Sequence, residues 1–142
     1  MAFVNTLMHS GNQRECVKVF ELCNPNDDDC LENKTLKYSY SAISLPSIPY
    51  ISSPIRLLTV EIRKSVTSQV SFRLVSGNER GYFFVQRRQV DSYRVRANVM
   101  LIQAITGPYD TDLHLEVNTY IRGELSSQTV IIIHVDISAN TW

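Results

Sequence analysis

Apolar side chains recur at every second position in segment after segment of this chain, and that period restricts its fold more than any other feature. TVIIIHVDIS (129–138) sets Ile131, Ile133, Val135 and Ile137 on one face. DLHLEVNTYI (112–121) does the same with Leu113, Leu115, Val117 and Ile121, leaving His114, Glu116 and Asn118 on the other. YRVRANVMLIQAI (93–105) places Tyr93, Val95, Ala97, Val99 and Leu101 opposite Arg94, Arg96 and Asn98. VSFRLVS, IRLLTVEI, GYFFVQRR and LKYSYSAISL complete the series, and in the last the period assigns Leu36, Tyr38 and Tyr40 to the buried face. Side chains alternate across a strand, so this period marks half-buried strands. Seven such segments at about ten-residue spacing, with turn residues between them, predict an all-β fold: an antiparallel β-sandwich of about seven strands, or a barrel.

The chain has 142 residues, enough for one domain, and 44% of them are hydrophobic, which supports a packed core. Fourteen Lys and Arg balance fourteen Asp and Glu. That balance argues against a nucleic-acid binder, which carries a basic excess. No apolar run reaches the roughly 18 residues of a membrane span. The opening MAFVNTLMHSGNQRE lacks the basic region, apolar stretch and cleavage site of a secretory signal. It also shows no period, so residues 1–15 read as a tether or fragment boundary.

Cys16, Cys23 and Cys30 fall within a polar segment, 16–33, and no other cysteine exists. Clustered at one end, they read as a short disulfide-tied lead-in to the strands of 34–142. An odd count leaves one cysteine free or paired outside the chain. Zinc is the competing reading, with His9 as a fourth ligand, although the C-x6-C-x6-C spacing suits zinc poorly. CNPNDDDC builds turns, and its aspartates lack the spacing and downstream Glu of an EF-hand. Asn33 heads the sequon NKT, a glycosylation acceptor if the chain is secreted.

Catalytic chemistry finds little support. No G-x-S-x-G, H-E-x-x-H or G-K-[ST] motif occurs. His114 and His134 sit on the polar faces of different strands, either facing each other as a metal or proton site or simply exposed on a sheet. Arg87, Arg88, Arg94 and Arg96 form a basic cluster, either a site for sulfated glycans or an acidic partner, or a solvated face. LVSGNERGYFFVQ (74–86) has the glycines of a phosphate loop, but the residues after Gly81 form a strand where such a loop needs a helix. It is therefore a turn, with Gly77 and Asn78 in restricted backbone conformations and Gly81 leading into the next strand.

FRLVSGNERGYFFVQ resembles the turn of the fibulin C-terminal module, which recurs in hemicentins and, more distantly, at the end of fibrillins. ITGPYDTDLHLEV is similar to that module's Gly-Pro turn before a strand, LKYSYSAISLPS to its first strand, and HVDISANTW to its last. CVKVFELCNPNDDDC resembles the three-cysteine lead-in that follows the final EGF-like repeat. Trp142 stands where the family more often has Phe or Tyr. Cadherin repeats share a Gly-Asn turn of this kind, but their calcium-binding motifs are absent.

The resemblance implies a secreted extracellular matrix glycoprotein that acts by protein–protein contact in elastic-fibre or basement-membrane assembly. It implies calcium only in upstream EGF-like repeats and no cofactor in this chain. It also implies a partner cysteine upstream for one of Cys16, Cys23 and Cys30. Because aromatic and arginine side chains dominate binding hot spots, Tyr82, Arg87, Arg88, Arg94 and Arg96 are the contact candidates, Tyr82 being equally suited to the core. The alternative is an intracellular β-sandwich enzyme or ligand carrier with reduced or zinc-binding cysteines.

Overall fold

The computed structural model describes residues 2–8, 16–21 and 37–141. Within them lie nine strands: β1 (Ala2–Met8), β2 (Cys16–Glu21), β3 (Lys37–Leu45), β4 (Ile55–Arg63), β5 (Ser68–Ser76), β6 (Phe83–Asp91), β7 (Arg94–Leu101), β8 (Tyr109–Ile121) and β9 (Glu124–Ile137). They form a five-stranded sheet in the order β1-β2-β4-β7-β6 and a four-stranded sheet in the order β3-β9-β8-β5. The strands β3 to β9 are the seven expected from the period.

Three expectations change. Both sheets are mixed, since β2 runs parallel to β4 and β3 parallel to β9. Parallel neighbours need long connections, and a local period carries no record of which distant strand will pair. Residues 2–8 were expected in a tether, yet they form β1, antiparallel to β2. The irregularity between Phe3 and Asn5 in its pairing with β2 interrupts any period. The lead-in likewise begins as a strand. Val17, Lys18, Val19 and Phe20 are all buried, so both faces are covered and no alternation appears. Cys16 is the first residue of β2, whereas His9, Cys23, Cys30, Asn33 and Trp142 lie outside the described residues.

The core sits between the inner faces of the two sheets. Val60, Ile62, Val95, Ala97, Val99 and Leu101 come from one sheet, and Leu113, Leu115, Val117, Ile131, Ile133, Val135 and Ile137 from the other. Every one of them is at most 1% exposed. Burying a side chain of this size contributes about 1.5–3 kcal/mol, so this double layer supplies most of the driving force.

In β3 the period misassigns the buried face. Tyr38 and Tyr40 are 56% and 69% exposed, and Ser39, Ser41, Ile43 and Leu45 face inward beside Ile131, Ile133, Val135 and Ile137. Two aliphatic side chains at the far end of the strand set its parity, and a one-residue slip would have turned both out of the core. The inward serines also leave room for a cation. Lys18 Nζ donates to Ser39 Oγ at 2.6 Å and to the Tyr40 carbonyl at 2.7 Å. Burial pushes its pKa down, and these acceptors hold the charge.

Candidate partner-contact surface

The strand β6 ends its sheet, pairing only with β7 among the described residues. Its start is fixed by the glycine-asparagine turn. Gly77 has φ +89°, and a Cβ there would run into the Asp112 carbonyl. Thr111 Oγ1 donates to the Gly77 carbonyl at 2.8 Å, tying the turn to β8. Asn78 does its work through its side chain, since Arg122 is the one non-glycine residue of positive φ among those described. Its amide bonds both backbone groups of Phe83, at 2.8 and 3.0 Å. Gly81 also has positive φ, and its N–H closes the turn onto the Asn78 carbonyl at 3.0 Å.

Beyond Phe83 the strand is exposed on both faces up to Asp91, apart from Val85. The register places Arg88 beside Arg96 on the outer face, and Arg87 beside Ala97 on the opposite one. The four arginines therefore do not make a single uniform patch. Arg94 Nη2 donates to Asp91 Oδ2 at 2.8 Å, and that hydrogen bond, with the Tyr93 N–H, holds the Asp91 carboxyl below its usual range. Arg96 Nε donates to Glu61 Oε1 at 2.9 Å, and Arg63 reaches the same carboxylate at 3.3 Å. Burial pushes the Glu61 carboxyl up, but the two guanidinium groups outweigh burial and hold it below its ordinary value. Arg87 reaches Gln89 at 3.3 Å. Among the described residues no carboxylate pairs with Arg87 or Arg88.

Tyr82 is half-buried and packs on the core, its ring 5.6 Å from Tyr109 and 6.3 Å from Phe83. The exposed aromatics beside the arginines are Phe84, at 54%, and Tyr93, at 60%, with Val90 near them. The period sets Tyr93 on the face of Val95 and Ala97, but Tyr93 lies in the turn between β6 and β7 and is exposed. The parity that buries Phe83 and Val85 would have shown that Phe84 faces out.

The two histidines occupy the outer face of the other sheet, His114 opposite Ile132 and His134 opposite Asp112. His134 Nδ1 donates to Asp112 Oδ1 at 2.6 Å, which raises the imidazole pKa. They are neighbours on one face, but not partners. Among the described residues no three His, Cys, Asp or Glu side chains are grouped to hold a metal ion, and no helix is long and apolar enough to cross a membrane. What the described surface offers is an open strand edge carrying arginines, aromatics and an apolar side chain.

The family model of the fibulin C-terminal Ig-like domain matches residues 36–139, most of the chain. The chain belongs to that family. As a fibulin-type domain it is similar to human (Homo sapiens) fibulin-1, 26% identical over 128 residues, which cover 87% of this chain and 18% of that protein. Chicken (Gallus gallus) fibulin-1 is 24% identical over 131 residues, again 87% of this chain and 18% of the other. The chain thus spans about a fifth of the length of the curated relatives it matches. The bradyzoite-specific antigen BSR4 of Toxoplasma gondii aligns with a TM-score of 0.45 at 5% identity, covering 94% of this chain and 52% of that one. The fibulin-type match begins at residue 36, just before β3, and ends after β9, so it takes in all seven strands of the expected sandwich.

Proposed function

We propose that this fibulin-type domain is a structural module of the extracellular matrix, acting by protein–protein contact in elastic-fibre or basement-membrane assembly, as part of a longer secreted protein with EGF-like repeats. No turnover chemistry is proposed. The observation that carries this reading is the family match across the whole seven-stranded sandwich. The contact surface is the β6 edge. Among the described residues Arg87 and Arg88 have no carboxylate partner. Phe84, on the face of Arg88, and Tyr93, in the turn that follows β6, are exposed aromatics of the kind enriched at interfaces. Arg94 and Arg96, already paired to Asp91 and Glu61, shape that edge and contribute less free charge, while Tyr82 anchors its base. The matching occupant is an acidic protein segment of the matrix, with sulfated glycans as the alternative chemistry for the same arginines.

On this reading two of Cys16, Cys23 and Cys30 pair within the lead-in, the third pairs upstream, and Asn33 carries a glycan. Any calcium belongs to the upstream repeats. The chain expressed through the secretory pathway of cultured mammalian cells tests this by intact mass with and without thiol alkylation. Two oxidised cysteines and a glycan on Asn33 are expected. Three free thiols, or a bound zinc ion, would overturn it in favour of a reduced intracellular protein.

A further inference from the structure

The outer face of the β3-β9-β8-β5 sheet takes no part in the core, yet it is not a uniformly polar surface. Tyr38 and Tyr40 project from it, and Ile132 is only half-covered. A shallow open depression of about 620 Å³ lies on this face. Tyr40 and Ala42 line it from β3, Asp112 and His114 from β8, and Ile132 and His134 from β9 between them. Just beyond His134 the register sets Asp110 directly opposite Asp136. Like charges facing each other across a strand pair repel. No lysine or arginine pairs with either aspartate among the described residues.

We infer that this face docks a basic segment of a partner protein and seats one arginine or lysine side chain in the depression. The inference rests on the reading of the chain as a protein-binding module, but it uses a surface on the other sheet from β6. Each part of such a side chain has a counterpart. Ala42 and Ile132 offer apolar surface to the methylene stem. The Tyr40 ring offers its face to the cation, an attraction of about 0.5–1 kcal/mol at an exposed site. Asp112 uses Oδ1 for His134, and its Oδ2 remains an acceptor for a charged donor. The uncompensated Asp110 and Asp136 pair favours flanking cations and steers their approach.

His134 tunes the site. The groups facing it are Asp112 and Asp110 on β8, Asp136 on its own strand and His114 across the depression, while β3 contributes no charge beside it. Protonated, His134 neutralises Asp112 internally and competes with the incoming cation. Docking is therefore strongest where the imidazole is neutral and weakens as the pH falls.

The test titrates the full chain with a capped peptide alternating arginine and serine, and with the same peptide carrying citrulline in place of arginine. Backbone amide NMR shifts and isothermal calorimetry are the readouts. The expected result is arginine-dependent binding with shifts centred on Tyr40, Ala42, Ile132 and His134. Asp112→Asn and Tyr40→Ala, both surface changes, should each weaken it, the first by about tenfold. Lowering the pH from about 8 to about 5.5 should weaken it as well. A Phe84→Ala/Arg88→Glu variant should bind like the parent chain, which separates this site from the β6 edge. Absence of binding by the arginine peptide, or binding that survives both Asp112→Asn and Tyr40→Ala, overturns the inference whatever the fate of the β6 contact.

Discussion

The side-chain amide of Asn78 stands in for a neighbouring strand at Phe83, donating from Nδ2 to the Phe83 carbonyl at 2.8 Å and accepting the Phe83 N–H on Oδ1 at 3.0 Å. One side chain thereby fixes where β6 begins relative to β5. Asn78→Ala leaves both backbone groups without these partners where Phe83 is buried. Urea unfolding should show a loss of about 1–3 kcal/mol. Asn78→Asp keeps the acceptor but loses the donor to the carbonyl, so it should also destabilise.

Two glycines of positive φ separate strain from collision. Gly123 has φ +79° and open space around the site of a Cβ, so Gly123→Ala should cost only the backbone strain, about 1 kcal/mol. Gly77 has φ +89° and the Asp112 backbone where a Cβ would go. Gly77→Ala should therefore cost more than Gly123→Ala, by about 1–3 kcal/mol or more. Equal thermal midpoints for the two variants would contradict the close approach of the turn to β8.

The Glu61 carboxylate gives stability a defined acid limb. Its pKa is lowered in the folded chain, so its contribution is present above the unfolded value and disappears as the pH falls through the folded one, below 4.5. Glu61→Gln should flatten the pH dependence of unfolding in that acid window. Arg96→Ala removes a charged hydrogen bond from a buried acceptor and should cost about 1.5–3 kcal/mol near neutral pH, measured by denaturant unfolding.

His134 works in the opposite direction. Hydrogen bonding to Asp112 raises its pKa, so its contribution is fully present below the unfolded value and is lost as the pH rises through the folded one. NMR titration should place the His134 imidazole above 6.5, and Asp112→Asn should lower it. No change on that substitution would contradict the pairing.

Legibility in the sequence followed exposure. The strands β7, β8 and β9 alternate because one face meets the core and the other does not, and Val95, Leu115 and Ile133 fall where the period puts them. In β2 both faces are covered, and in β1 the register slips between Phe3 and Asn5, so neither leaves a pattern. Tyr38 and Tyr40 misled because tyrosine serves as readily at a surface as in a core, while Ile43 and Leu45 decided the parity. Substitutions expose the difference. Ile133→Ala should cost about 2–5 kcal/mol, whereas Tyr40→Ser should shift stability by less than about 0.5 kcal/mol. The arginine cluster was visible as composition, but its division into ion-paired Arg94 and Arg96 and, among the described residues, Arg87 and Arg88 with no carboxylate partner depends on Asp91 and on Glu61, a residue of another strand.

Contact with the matrix through the β6 edge is tested most directly by retention of the soluble chain on decellularised fibroblast matrix. The parent chain and a Phe84→Ala/Arg88→Glu variant of equal urea stability should be compared across a salt series, with heparin as competitor. Saturable retention of the parent, weakened about tenfold in the variant, is the predicted result. Heparin displacement of the bound chain would assign the arginines to sulfated glycans in place of an acidic protein segment. No retention of the parent chain, or equal retention of the variant, would contradict the assignment.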